Sequence, residues 1–310
     1  YRFLETIRQY AMEKLLESEE TISARDNHLN YYAKLAENLD EKFRDEQKKH
    51  WLDQFELEND NFRSALRWSS ERDPRRAIQL IWSLTDLWLA SGLLAEGQVW
   101  CKMALSAAEN GLPITPEMEN LRARALYCFA YLATNNGEHH KALEAIEQAI
   151  VIFRQLGDTE LLARSLISRG TSSGFSGDYK KAFDSLQESE KISREKGHKL
   201  ELAWALTALT ALTVMFSADR MEAFSEVEVY MQEVIGLIQG VKHLFVNTST
   251  KQYLARRAFA HGDLAEARMH SNDLLKMLEE AGDKHAATNY KSDMAHELRR
   301  NGNLTEAIPM

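Results

Sequence analysis

Cysteine, proline and glycine are all scarce in this 310-residue chain, which holds two, four and fourteen of them. Cys101 and Cys128 cannot build a disulfide framework, so stability has to come from a buried core in a reducing compartment, and the cytoplasm is the expected setting. Four prolines leave long stretches unbroken. No stretch alternates apolar and polar residues between turn residues, which argues against a strand-built fold. Long apolar runs are missing too: the longest uncharged stretch, Leu202 to Ala218, has 17 residues and is interrupted by Thr207, Thr210, Thr213 and Ser217. That length falls short of a bilayer span, so a buried helix is expected and no membrane contact. Cations are in deficit, 38 Lys and Arg against 47 Asp and Glu for a net charge of −9. A nucleic-acid surface needs clustered cations and is not expected within this chain.

What the chain does have is helix-forming residues and a 44% hydrophobic content, enough for a core. It opens "YRFLETIRQYA" inside an amphipathic helix, with neither a signal peptide nor an initiator methionine, and stops at "NLTEAIPM"; both ends are expected to be cuts through a larger protein.

One short motif returns. "SGDYKKAFDSL" begins at Ser176, "NGEHHKALEAI" at Asn136, "HGDLAEARMHS" at His261 and "NGNLTEAI" at Asn301, while "SADRMEAFSEV" from Ser217 and "SGLLAEGQVWC" from Ser91 each differ at one small residue. The small residue in the seventh place falls at Gly97, Ala142, Ala182, Ala223, Ala267 and Ala307, spaced 40 to 45 residues apart. A steady period with drifting sequence predicts six helical hairpins. Glycine closes the first helix in a left-handed conformation, the acid or amide after it caps the next, and the alanine lets the two helices approach. A phosphate-binding loop is excluded, because the Gly-x-x-x-x-Gly-Lys-Ser/Thr pattern occurs nowhere. Asp73-Pro74 starts the first hairpin, and Pro113 and Pro116 separate it from the second.

Hairpins with this corner resemble the tetratricopeptide repeat. In the second unit Leu126, Phe129, Ala130 and Ala133 take that family's large, large, small and inward positions, followed by Ile146 and Ala149 on the second helix; the third unit offers Leu166, Gly170 and Ala182. The resemblance implies an all-α, right-handed α-solenoid, a superhelix of TPR-like helical hairpins. The period exceeds the family's usual 34 residues, which keeps HEAT-like repeats as an alternative. The fourth unit is irregular, with Thr207 where a large apolar residue is expected, and the sixth ends before its second helix.

A second resemblance lies in the first seventy residues. Tyr1, Arg2, Leu4, Glu5, Thr6, Ile7, Arg8, Tyr10 and Ala11 match a strip that closes the winged helix in bacterial STAND-class signalling ATPases related to AfsR and MalT. Glu58, Asp60, Asn61, Arg63, Ala65, Leu66 and Trp68 match the strip that opens their superhelix. The implied organisation is the end of a winged-helix domain over 1–24, a helical linker over 25–72, and repeats over 73–112, 116–157, 158–198, 199–241, 242–283 and 284–310. On a helix from Trp51 to Ser69, Leu52, Phe55, Phe62, Ala65 and Leu66 share one face with Asn59, whose amide is expected to bridge to a neighbouring helix.

No catalytic constellation stands out. His139 and His140 are adjacent and point about 100° apart on a helix, a poor chelating geometry, and "HELRR" at His296 lacks a second histidine. No metal, no cofactor and no enzymatic activity are expected in this chain, whereas the resembled parent proteins are ATPases. The working surface is then the concave wall, lined by the first helix of each hairpin. Carrying the family's groove positions over gives Gln79, Trp82 and Asp86 in the first unit, Arg124, Tyr127 and Tyr131 in the second, and Arg164, Ile167 and Thr171 in the third. Gln252 and Arg256 follow in the fifth, then Ser292 and His296 in the sixth. The resemblance implies a sensor region that binds a protein, peptide or small-molecule activator in this groove and contacts an ATPase or winged-helix module of the same chain, relieving autoinhibition so that the parent regulates transcription or another output. The alternative is a freestanding tetratricopeptide scaffold that binds peptides.

Overall fold

The computed structural model describes residues 10–300 apart from 12, 15, 16, 18, 19, 44–47, 112–114, 217–219, 240–242 and 282–283. Among the described residues there are helices and no strand. The helices are α1 Thr21–Phe43, α2 Lys48–Arg72, α3 Pro74–Ala90, α4 Leu94–Gly111, α5 Pro116–Asn135, α6 His139–Leu156, α7 Thr159–Phe175, α8 Tyr179–Lys196, α9 Lys199–Phe216, α10 Arg220–Leu237, α11 Leu244–Ala260, α12 Leu264–Glu280 and α13 Lys284–Arg300. They pack as successive antiparallel pairs, α3 with α4 through α11 with α12, and each pair stacks on the next. The chain is an α-solenoid of TPR-like helical hairpins.

The corners form for the reasons the motif predicts. At the third corner Gly177 has φ +85; the N–H of Asp178 reaches back to Ser173 O at 2.9 Å, and the Asp178 carboxylate accepts from Lys181 N at 3.1 Å. One short stretch thus ends α7 and begins α8. Asp263 caps α12 in the same way, through Glu266 N at 2.9 Å. Glu138 has the same place but a longer side chain, makes no cap bond, and pairs with Lys141 instead. Asp73 accepts from Arg75 N with Pro74 in the first turn of α3, and Thr115 caps α5. The corners at 217–219 and 301–302, Pro113 and the strip residues Tyr1 to Arg8 lie outside the described residues.

Close approach decides the small positions. A Cβ on Gly97 would sit 2.6 Å from Leu132 Cδ1 and 2.7 Å from Trp88, and one on Gly170 would sit 2.7 Å from Leu186 Cγ. Ala142, Ala182 and Ala267 are fully buried. Thr207 is buried as well, and its hydroxyl is satisfied by Ala203 O at 2.7 Å, so the fourth unit keeps its register with a polar residue bonded to its own helix.

The linker is a hairpin in its own right. α1 and α2 pack on each other and on α3, and the residues of the second strip hold them. Ala65 and Leu66 are buried, Glu58 accepts from Tyr32 Oη at 2.8 Å and Asn61 Nδ2 at 2.7 Å, and Arg63 reaches α4 through Glu96 at 2.6 and 2.7 Å. The expected Asn59 bridge is a correction. Asn59 is half-buried and its Oδ1 has no partner among the described residues; its neighbour Asn61 makes the amide contact, with Glu58 one turn away.

Candidate functional site

The first helices of the hairpins carry a chain of rings. Trp82 on α3 lies 5.9 Å from Tyr127 on α5, Tyr127 stacks on Tyr131 at 6.0 Å and 7°, Tyr131 meets Trp204 on α9 edge-on at 6.3 Å, and Trp204 lies 4.8 Å from His243 ahead of α11. The rings come from the first, second and fourth hairpins and from the cap of the fifth. The helix between α5 and α9 is α7, which bonds α5 through a serine. Its Ser172 hydroxyl bonds Thr134 at 2.7 Å, and Ser168 and Ser172 are buried.

Charges sit among the rings. The Arg124 guanidinium lies over Trp82 at 5.0 Å, with Nε bonded to Asn120 at 2.9 Å. Arg164 donates to Glu201 on α9 at 2.7 Å and to Glu160 at 2.8 Å. The Glu201 side chain is only 4% exposed, so this is a nearly buried pair joining the third and fourth hairpins. Burial disfavours charge on Arg164, yet Tyr127, Glu201 and Glu160 together hold its pKa above the usual arginine value. Burial also pushes the Tyr127 and Tyr131 phenols up, and half-buried Asp86 adds to the effect on both. Both phenols are neutral at physiological pH and offer O–H donors.

Of the residues read from sequence, the structure brings Trp82, Asp86, Arg124, Tyr127, Tyr131 and Arg164 into one wall. Gln79 is exposed on α3, and Thr171 is half-buried with its hydroxyl turned back to Ile167 O at 3.0 Å. Ile167 is a correction: it is fully buried and packs with Ala182 and Leu186. It occupies the middle position of its trio, where Tyr127 and Thr207 stand one period away on α5 and α9, and both of these are buried too. Gln252 and Arg256 are half-buried on α11 and Ser292 is exposed on α13; the His296 side chain lies outside the described residues. Trp204, Glu201 and His243 belong to the wall and were not anticipated. Trp204 follows Arg124 and Arg164 at an interval of 40 residues, so carrying the period through the irregular fourth unit finds it.

Comparison with known proteins agrees with the helical-hairpin fold. Residues 121–195, the second and third hairpins, match the family model described as tetratricopeptide repeat, which favours that repeat over the HEAT-like alternative. Proteins of Mycobacterium tuberculosis and Mycobacterium bovis named as HTH-type transcriptional regulators are 35% identical over 185 residues, an alignment that covers 57% of this chain. It covers 20% of those proteins, so the chain matches about a fifth of the length of these relatives. Among solved structures, a Rap protein complexed with Competence and Sporulation Factor superposes with TM-score 0.60 at 15% identity, over 96% of this chain and 79% of that one. The apo quorum sensor NprR of B. thuringiensis gives 0.55 at 13% identity, over 98% and 90%. At such identities the likeness is one of fold.

No helix among the described residues is long and apolar enough to cross a membrane. No group of three or more His, Cys, Asp or Glu side chains is placed to hold a metal ion among them. Cys101 and Cys128 are free, buried thiols whose pKa values burial raises, that of Cys128 to about 12.

Proposed function

We propose that this chain is the ligand-sensing region of a larger signal-responsive transcriptional regulator, and that it takes a peptide or small-molecule activator on the aromatic wall. The observation that carries this is the unbroken line of rings from Trp82 to His243, flanked by Arg124 and the Arg164–Glu201 pair. Aromatic and arginine side chains held rigid in a concave surface are the usual anchors of recognition. The reading is supported by the regulators that share sequence with the chain, and by structural neighbours described as a quorum sensor and as a Rap protein complexed with Competence and Sporulation Factor. The two linker strips point to a STAND-type parent, in which ligand bound to the array favours an open state of the ATPase and winged-helix modules. The chain itself supplies no catalysis in this scheme, and measurable nucleotide turnover by the purified chain contradicts it.

A thermal-shift screen of peptides and metabolites on the purified chain tests the reading directly, because a ligand that binds only the folded state raises the melting temperature. A hit is expected to lose its effect in a Trp82→Ala/Tyr131→Ala variant and keep it in Gln252→Ala. In the parent protein, deletion of 74–310 is expected to abolish the response to the hit. A normal response after that deletion, from an intact protein, removes the sensor role.

A further inference from the structure

A second feature lies away from the wall, where the linker meets the first hairpin. There α1, α2 and the start of α3 leave a cleft of about 350 Å³, whose lining includes Asp26, Asn30, Trp68, Arg72, Asp73 and Arg76. That volume lies at the small end of the range for ligand sites. Two guanidiniums lie over the Trp68 ring, Arg25 at 4.9 Å and Arg72 at 5.3 Å. Arg76 Nη2 donates to Asn30 Oδ1 at 2.6 Å. In a chain of net charge −9, the cleft sets Arg72 and Arg76 beside Asp26 and Asp73, and Arg25 and Arg75 are close in sequence to the two acids.

The two carboxylates are occupied by neutral donors. Asp26 Oδ1 accepts the Trp68 indole N–H at 2.8 Å, and Asp73 Oδ1 accepts Arg75 N at the cap of α3 at 3.2 Å. None of the four arginines forms an ion pair among the described residues, whereas Arg63, Arg164, Arg169 and Arg194 all do. Stacking on an indole fixes a guanidinium in place while leaving its edge N–H groups unfilled, an arrangement suited to binding an oxyanion. The first turn of α3 adds the positive end of a helix dipole.

We infer that this cleft is an oxyanion site that takes a phosphate group. Arg72 and Arg76 line it from two helices, α2 and α3. A tetrahedral phosphate offers oxygens in more than one plane to match them, while a planar carboxylate matches a single guanidinium fork. The site shares no residue with the aromatic wall and stands independently of the sensor reading.

The test is a titration of the whole chain with inorganic phosphate at constant ionic strength, followed through the Nε–H resonances of the arginines, with sodium chloride as control and ADP as a second ligand. Saturable shifts at Arg72 and Arg76 are expected with phosphate and not with chloride. Arg72→Gln/Arg76→Gln is expected to weaken binding by about tenfold or more, the usual effect of losing a charge-assisted hydrogen bond, while helicity by circular dichroism is unchanged. Tighter binding of ADP identifies a nucleotide as the source of the phosphate; equal or weaker binding identifies the free ion. Should the double variant fail to fold, the wild-type comparison with chloride decides alone. Absence of a saturable shift, or the same shift with chloride, overturns the inference.

Discussion

Glu201 shows how much one residue of the wall depends on another. It is 3% exposed, and its partner Arg164 bonds it from the neighbouring hairpin. Removing the cation leaves a carboxylate buried without compensation, so Arg164→Met is expected to cost about 3–5 kcal/mol in urea unfolding, and adding Glu201→Leu to recover most of it. Two glycines separate backbone from packing. Gly177→Ala places a side chain where φ is +85 with nothing within 4 Å, so only the backbone objects, at about 1–2 kcal/mol. Gly170→Ala has ordinary helical geometry, but the new Cβ meets the Leu186 branch carbon and lies 3.2 Å from Ala182 O. Overpacking there is expected to cost about 1–3 kcal/mol despite the better helix propensity of alanine. Gly177 was legible in sequence as the corner glycine of the repeating motif, and Gly170 through the resemblance of the third unit to the tetratricopeptide repeat. Trp204 was not, because the fourth unit carries Thr207 at a large-residue position, which hid the register, and only the bond from Thr207 to its own helix explains why a hydroxyl is tolerated there.

Among elements, the helices and most of their ends could be read from caps and period, since glycine, aspartate and proline act on the few residues beside them. Which face of a first helix turns inward is a matter of packing between hairpins. A shift of one position moves a side chain by about 100° around the helix, enough to take Ile167 from groove to core. The linker hairpin illustrates a contact that sequence spacing could not supply. Arg63 on α2 and Glu96 on α4 are 33 residues apart and hold the linker to the first repeat. The bond from Arg63 lowers the Glu96 pKa, against the opposing effect of burial. A carboxylate depressed in the folded state contributes stability in full above its unfolded pKa, about 4.3, and loses it as pH falls through the lower folded value. Thermal melts between pH 6 and pH 3 are therefore expected to show wild type losing its advantage over Glu96→Gln towards the acid end. A constant gap across that range contradicts the clamp.

Across the whole molecule, a solenoid is as cohesive as its thinnest interface, because each hairpin is stabilised only by itself and its neighbours. The interior is not uniform. α6 buries Ile146, Ile150, Ile152 and Phe153, whereas α8 buries Ala182 and Leu186 beside Ser185, Ser189 and Ser193. With each large apolar side chain worth about 1.5–3 kcal/mol on burial, α8 lacks several kcal/mol of the driving force that holds α6. Ion pairs supply part of what is missing. Arg154 with Glu188 and Lys181 with Glu147 tie α8 to α6 in the hairpin before it, and Arg194 with Glu233 ties it to α10 in the hairpin after. Such partly exposed pairs contribute little singly and weaken with salt. Hydrogen exchange is accordingly expected to show α8 amides opening at lower free energy than α6 amides, and the gap to widen in 1 M salt. The third hairpin also underlies the Tyr131–Trp204 contact, so a ligand lying across the second and fourth hairpins is expected to raise α8 protection more than that of α6. Equal protection of the two helices in the free chain at both salt concentrations contradicts this account of where the solenoid yields.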